Sequence, residues 1–364
     1  MNINRKIESP NDEVLQNDIE QIALSNIPIS HLKNKSILIT GATGLIGSQI
    51  VRTLACCNRL RNTNIEIIAL ARNEKKAKDV FGDMLNDSDL RMIYGDVIRP
   101  VKITGNIDFI IHGASITSSQ DFITYPVETI NTALEGTKNM LELAKEKKVK
   151  SFVYLSSLEV YGVTNPSLNY VTEKDYGFID VINPRSSYSE SKRMAECLCI
   201  AYAHEFDLPV KIARLTQTFG AGVNYNDSRV FAQFARSLIE NKDIVLHTKG
   251  ETVRSYCYIR DAITALIFIL IKGENGQAYN VANMETTISI KDMAEMLTKN
   301  FPETGIKVIY DIPNDVTKLG YNPTVKINLD TSKLQKLGWQ AEIGLVEMYR
   351  SMIKSMKNQK KYDY

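Results

Sequence analysis

The run "PRSSYSESKRMAE" at residues 184–196 sets Tyr188 and Lys192 four residues apart. On a helix these two positions project from one face. An ammonium beside a phenol favours the phenolate and lowers its pKa from about 10 toward neutral pH. A tyrosine tuned in this way can exchange a proton with a hydroxyl or a ketone while hydride moves to or from a nicotinamide. A second hydroxyl must hold the reacting oxygen, and Ser157 in "YLSSLEVYG" is the candidate, ahead of its neighbour Ser156. Taken alone, the Tyr–Lys pair would read as a solvated helix start. Its combination with a strand-end serine and a glycine loop favours proton transfer.

The glycine loop is "SILITGATGLIGSQIV", with Gly41, Gly44 and Gly47 between an apolar strand and a helix. Glycine allows the tight turn, and a pyrophosphate can then approach the free N–H groups at the helix start. Thr43, Leu45 and Ile46 complete this turn. The second strand, "IEIIALA" (65–71), ends at Arg72 where an NAD site usually carries an acidic residue for the ribose. Arg72, with Lys75 or Lys76, can hold a 2′-phosphate through charge-assisted hydrogen bonds, so the reading favours NADP(H) over NAD(H). Glu74 folding back onto a ribose is the alternative. Asp96 and Val97 after "LRMIYGD", and Gly113, Ala114 and Ser115 after "IDFIIH", complete the expected cofactor site, with Tyr188 and Lys192.

These residues need a scaffold that gathers them. Apolar strand runs at 36–40, 65–71, near 90 and 110, at "SFVYLSS" and at "PVKIARL" alternate with helical stretches. Such alternation predicts a parallel sheet covered on both faces, with ligands beyond the carboxyl ends of its strands. "GATGLIG", "HGAS", "SSLEVYG" and "RLTQTFG" all follow strands and would share that edge. A helix over 126–147 is expected to turn Ile130, Leu134, Met140, Leu141 and Leu143 inward, and one over 186–206 to bury Cys197 and Cys199. Val14, Leu15, Ile19 and Ile22 recur at helical spacing within an extension at 1–35. Residues 36–215 read as the dinucleotide-binding domain. Residues 216–364 read as mainly a smaller substrate-binding lobe, with some segments returning to the first domain. A loop is expected at 313–323 and a final helix at 343–357.

With 364 residues, 44% apolar content and a net charge of +2, the chain suits a globular enzyme and offers no basic field for nucleic acid. The apolar run "ITALIFILI" at 263–271 is too short to span a bilayer, and the first residues lack the apolar stretch of a secretion signal. Five cysteines without metal-ligand spacing read as reduced thiols in a cytoplasmic protein, and no metal is expected. His112 closes a buried strand and reads as core.

Together, "GATGLIG", "SSLEVYG", "YSESK", "RSYCYIRDA" and the late "LGW" make the chain resemble the extended short-chain dehydrogenase/reductases, the nucleotide-sugar epimerase/dehydratase family. The likeness covers about residues 36 to 345 and is greatest to UDP-glucuronate decarboxylases. It implies a Rossmann-type doubly wound α/β fold and Ser157, Tyr188 and Lys192 as a catalytic triad. It also implies Glu159 as an active-site glutamate. Gln217 stands where the family has a substrate-contacting asparagine, Arg229 lies in the loop that helps enclose the nucleotide, and Arg254 matches the arginine that meets the substrate's diphosphate or sugar end. A homodimer through the helices at 126–147 and 186–206 is likewise implied. Leu158 departs from the Ser or Asp of decarboxylases and several 4,6-dehydratases, and Ala133 from an asparagine facing the cofactor. Leucine offers no proton, and Arg72 points to reduced NADP as hydride source. The expectation is therefore net keto reduction or 4-epimerisation of a nucleotide-activated sugar or polyol, as in surface-polysaccharide precursor synthesis. A decarboxylase-like or 4,6-dehydratase-like enzyme is the alternative, and a non-catalytic dinucleotide-binding scaffold a further one.

Overall fold

The computed structural model describes residues 7–313 and 324–360. The strands are β1 (Ser36–Thr40), β2 (Glu66–Ala71), β3 (Leu90–Tyr94), β4 (Phe109–His112), β5 (Ser151–Ser157), β6 (Val210–Leu215), β7 (Gln217–Phe219), β8 (Ile244–Leu246), β9 (Val253–Tyr258), β10 (Gln277–Val281), β11 (Asn283–Ser289), β12 (Val308–Tyr310) and β13 (Lys326–Ile327). The helices are α1 (Glu13–Leu24), α2 (Leu45–Arg61), α3 (Glu74–Phe81), α4 (Ser119–Thr124), α5 (Pro126–Lys147), α6 (Ser187–Phe206), α7 (Val230–Glu240), α8 (Ile259–Lys272), α9 (Ile290–Asn300), α10 (Ser332–Gln335) and α11 (Leu345–Lys360).

The main sheet runs β10-β6-β5-β4-β1-β2-β3, and every neighbouring pair is parallel. Both faces are covered, which is why "SILIT" is buried at all five positions. Alternation still decides which layer each residue meets. Ile37 and Ile39 belong to one apolar cluster with α1, α2 and α8, whereas Leu38 joins Met140, Leu141 and Cys199 of α5 and α6 in the other. Burying one such aliphatic side chain is worth about 1.5–3 kcal/mol. Chain order reverses between β1 and β4, so the sheet opens a crevice beyond Thr40 and His112.

Local chemistry fixes the helix ends. Pro126 starts α5, where its missing N–H costs nothing, and Lys148 ends it in the left-handed conformation. Asp12 caps α1 by accepting from the backbone N–H groups of Val14 and Leu15. α1 then packs on α2, α8 and α11, burying Leu15, Ile19 and Ile22.

β9 pairs with β7, β11 and β13 in a second sheet, and β8 pairs with β12. β10, although late in the chain, returns to the edge of the main sheet beside β6. The larger apolar cluster is shared by α2, β1, α7, β9 and α11, so residues on both sides of position 215 pack into one core.

Two sequence expectations are corrected. Ile130 is exposed on α5, while Met140, Leu141 and Leu143 are buried and Leu134 is half-buried. Cys197 is exposed and only Cys199 faces the core, because the buried stripe of α6 follows 188, 192, 195 and 199. Arg254 lies inside β9. The loop expected at 313–323 falls, apart from Pro313, outside the described residues.

Candidate active site

A cleft of about 1710 Å³ opens at the carboxyl edge of the main sheet. The glycine loop forms one part of its wall, through Gly41, Thr43, Gly44, Leu45, Ile46 and Gly47. Gly41 has φ +68°, and a Cβ there would lie 2.8 Å from the Gly113 carbonyl oxygen. A Cβ on Gly47 would lie 2.3 Å from the Gly41 carbonyl oxygen. No other residue type fits either position without moving backbone. α2 starts at Gly44 with no side chain capping it, leaving its first N–H groups for an anion. The cradle and the bare helix start fit a dinucleotide pyrophosphate.

Arg72, Asp96, Val97, Gly113, Ala114 and Ser115 line the same cleft. Arg72 is 59% exposed and sits 3.8 Å from Asp96, a loose pairing that leaves its guanidinium accessible. Asn73 and Lys76 line the cleft beside it, and Lys75 does not. Glu74 is turned to Lys78 at 2.9 Å. His112 lies buried at the end of β4, beside the crevice. Burial, with Lys192 nearby, depresses its pKa to about 3, so the ring is neutral. Thr40 Oγ1 accepts from the N–H groups of Gly113 and Ala114, both at 3.2 Å, and lies 2.7 Å from His112 Nδ1. A hydroxyl that accepts twice gives its proton to Nδ1. The ring hydrogen is therefore on Nε2, 3.2 Å from Thr137 Oγ1.

Ser157, Tyr188 and Lys192 meet in this cleft, together with Leu158, Glu159, Thr132 and Gln217. β5 ends at Ser157, whose Oγ accepts from the Glu159 N–H at 3.2 Å. Tyr188 stacks on Phe122 with ring centres 4.2 Å apart, and its phenol meets the Ser157 hydroxyl. The expected lowering of the Tyr188 pKa is not found. Burial raises it well above 10, Glu159 raises it further, and Ser157, Arg185 and Arg229 offset only part of this. The Lys192 ammonium is engaged elsewhere. It donates to the Leu155 carbonyl at 2.8 Å and lies 4.7 Å from the Tyr154 ring centre, against 5.7 Å for Tyr188. Burial lowers the Lys192 pKa to about 8, and Glu196 opposes the shift.

Glu159 is not the free acid or base that its position suggests. Arg185 donates to both of its oxygens at 3.0 Å, and Ser189 donates to Oε2 at 3.0 Å. Burial alone would raise its pKa, but the charge and bonds of Arg185, with Arg254 and Ser189, outweigh burial and hold it low. The carboxylate is a fixed anion. Arg185 also lies 4.7 Å over the ring of Phe122, beside Tyr188.

The candidates after residue 215 fare differently. Gln217 lines the cleft from β7. Arg229 lines it too, but Asp227 accepts from its Nε at 3.0 Å and from its Nη2 at 2.6 Å. Arg254 is not part of the cleft wall, and its Nε is buried with no hydrogen-bond partner. Ala133 is buried. Sequence reasoning missed Arg185, Ser189 and Phe122. Arg185 was findable, since it precedes Tyr188 by three residues, one helical turn. It also missed Ile7–Asp12 and Gln359, which line the cleft from the two ends of the chain. Among the described residues no His/Cys/Asp/Glu group could hold a metal ion, and no helix is long and apolar enough to cross a membrane.

The profile of the NAD dependent epimerase/dehydratase family matches residues 37–282. UDP-glucuronic acid decarboxylase 6 of Arabidopsis thaliana is 30% identical over 317 residues, covering 86% of this chain and 86% of its own. The UDP-N-acetylglucosamine 4-epimerase of Methanobrevibacter ruminantium M1 shares the fold with a TM-score of 0.76 at 21% identity, over 90% of this chain and 99% of that one. The UDP-glucose 4-epimerase of Thermotoga maritima matches with a TM-score of 0.74 at 19% identity, over 89% and 99% of the two chains.

Proposed function

This chain belongs to the NAD dependent epimerase/dehydratase family, and from that premise we propose that it exchanges a hydroxyl for a ketone on a nucleotide-activated sugar, as a keto reductase or 4-epimerase. The carrying observation is what surrounds the Tyr188 phenol. Leu158 is buried and apolar, and Glu159 is held by Arg185 and Ser189. The Tyr188 phenol, with the Ser157 hydroxyl that it meets, is then the pair placed to handle a proton. Carbonyl–alcohol exchange needs no more, whereas elimination needs a further acid or base.

The bound dinucleotide supplies the hydride or accepts it. For reduction, Ser157 donates a hydrogen bond to the substrate carbonyl oxygen. Tyr188, whose raised pKa keeps it protonated, transfers its phenolic proton to that oxygen as hydride reaches the carbon. Lys192 stabilises the resulting phenolate once its ammonium turns from the Leu155 carbonyl. In the oxidative direction Tyr188 takes the hydroxyl proton back. Phe122 keeps the phenol ring in place.

Arg72, Asn73 and Lys76 support acceptance of a 2′-phosphate, so we include NADP(H) among the cofactors used and favour it over NAD(H). A second reading, oxidation followed by decarboxylation of a nucleotide-linked uronic acid, is supported by the 30% identity to a UDP-glucuronic acid decarboxylase and by Arg254 beside Glu159.

One experiment separates these. The protein is incubated with NADPH or NADH and a panel of nucleotide sugars and keto-sugar nucleotides, while reduced-nicotinamide absorbance and released carbon dioxide are followed. Loss of absorbance without gas, or interconversion of 4-epimers with no net cofactor change, supports the proposal. Gas from UDP-glucuronate with no net cofactor change replaces it by the second reading. No turnover with any substrate leaves a binding scaffold.

A further inference from the structure

Below the cleft lies a buried ion pair that the chemistry above does not use. Glu196 follows Lys192 by four residues, as Lys192 follows Tyr188, so one face of α6 carries all three. Glu196 Oε1 accepts from Ser156 Oγ at 2.5 Å and from Arg214 Nε at 2.9 Å, and Oε2 accepts from Arg214 Nη2 at 2.6 Å. Arg214, 1% exposed, also donates to Tyr161 Oη at 3.0 Å and to the Glu173 carbonyl at 2.9 Å. Taking two charges out of water is costly, and two apolar residues of similar volume would serve the fold as well or better. The pair's contacts suggest another use. Ser156 precedes Ser157 on β5, and Arg214 stands near the end of β6, just before Gln217.

We infer that Glu196 is a positioning residue, which with Arg214 fixes the ammonium of Lys192 and the Ser157 end of β5 relative to Tyr188. This rests on the reading of Ser157, Tyr188 and Lys192 given above. The groups facing Lys192 are His112 from β4, Tyr154 from β5, and Tyr188, Glu196 and Cys199 on its own helix. His112 is neutral, and burial raises the Tyr154, Tyr188 and Cys199 acids, so they are neutral too. Among these neighbours, Glu196 is the anion that keeps the buried ammonium charged.

The test compares wild type with Glu196→Gln, Glu196→Asp and the double variant Glu196→Leu/Arg214→Met. Turnover and dinucleotide affinity are measured from neutral to alkaline pH, with circular dichroism and melting curves to score folding. Losing the carboxylate makes the Lys192 ammonium harder to keep. The alkaline limb of turnover and of binding should therefore move toward neutral pH by about one unit in Glu196→Gln, and by less in the double variant, which removes the Arg214 cation as well. Glu196→Asp should recover part of the shift. The double variant keeps the inference open to refutation where Glu196→Gln, with Arg214 left unpaired, does not fold. Folded variants with an unmoved limb overturn the inference, and so does a double variant that cannot fold, since the pair would then belong to the fold alone. Tyr188→Phe is run alongside. Turnover persisting in it removes the proton-transfer reading itself, whereas an inactive Tyr188→Phe with unmoved limbs in the Glu196 variants removes only the positioning role.

Discussion

Arg185 grips Glu159 with two hydrogen bonds of 3.0 Å across 26 residues of sequence, and both side chains are about nine-tenths buried. A buried ion pair is most sensitive to the loss of one partner. Arg185→Ala should cost about 3–5 kcal/mol at neutral pH, because it strands a carboxylate without water. The pH dependence has a definite sign. In the wild type the Glu159 pKa lies below its ordinary value of 4.5, so the pair stabilises the fold above that pH and ceases to do so as pH falls through the lowered pKa. In the variant burial raises the Glu159 pKa, and stability falls as pH rises through 4.5 toward the new value. The gap in melting temperature between the two proteins should be widest at neutral pH and close in acid. A gap independent of pH would assign Arg185 a packing role only.

Tyr188→Phe keeps the ring stacked on Phe122 and removes only the oxygen. It should fold and bind dinucleotide normally while turnover drops by roughly 10²–10⁴-fold, the range for a positioned acid–base group. Lys192→Ala should lose turnover and also weaken dinucleotide binding. Stopped-flow hydride transfer and titration of cofactor binding measure the two effects separately.

Replacing Arg72 by alanine should weaken NADP(H) binding by about 1.5–2 kcal/mol, the lower part of the range for charged hydrogen bonds, since the guanidinium is more than half exposed. NAD(H) binding should change little. Wild-type protein that binds NAD more tightly than NADP in a direct titration would remove the 2′-phosphate role.

A nucleoside diphosphate should raise the melting temperature, by ligand binding to the folded state, where the free sugar does not. Arg229 needs to exchange Asp227 for the diphosphate, so Asp227→Asn should increase that protection. Equal protection by sugar and nucleotide would argue against an activated-sugar substrate.

The sequence by itself determined the features that repeat over a few residues. The glycine spacing, the four-residue step from Tyr188 to Lys192, and the alternation of apolar strands with helices each express a local backbone geometry. Those features were enough for the sheet, its carboxyl edge, and the glycine loop, Ser157, Tyr188 and Lys192 that line it. Tertiary structure decided the electrostatics. The expectation for Tyr188 used the lysine four residues on, whereas its pKa follows from burial and from Glu159, which arrives from the turn after β5. Lys192 turns away because the Leu155 carbonyl, on β5, is a better acceptor within reach. Glu159 looked like a free carboxylate until the fold set Arg185 against it, and Arg254 faces it from a strand almost a hundred residues later. Charge interactions depend on distance and on exclusion of water, and both are set only when distant segments pack.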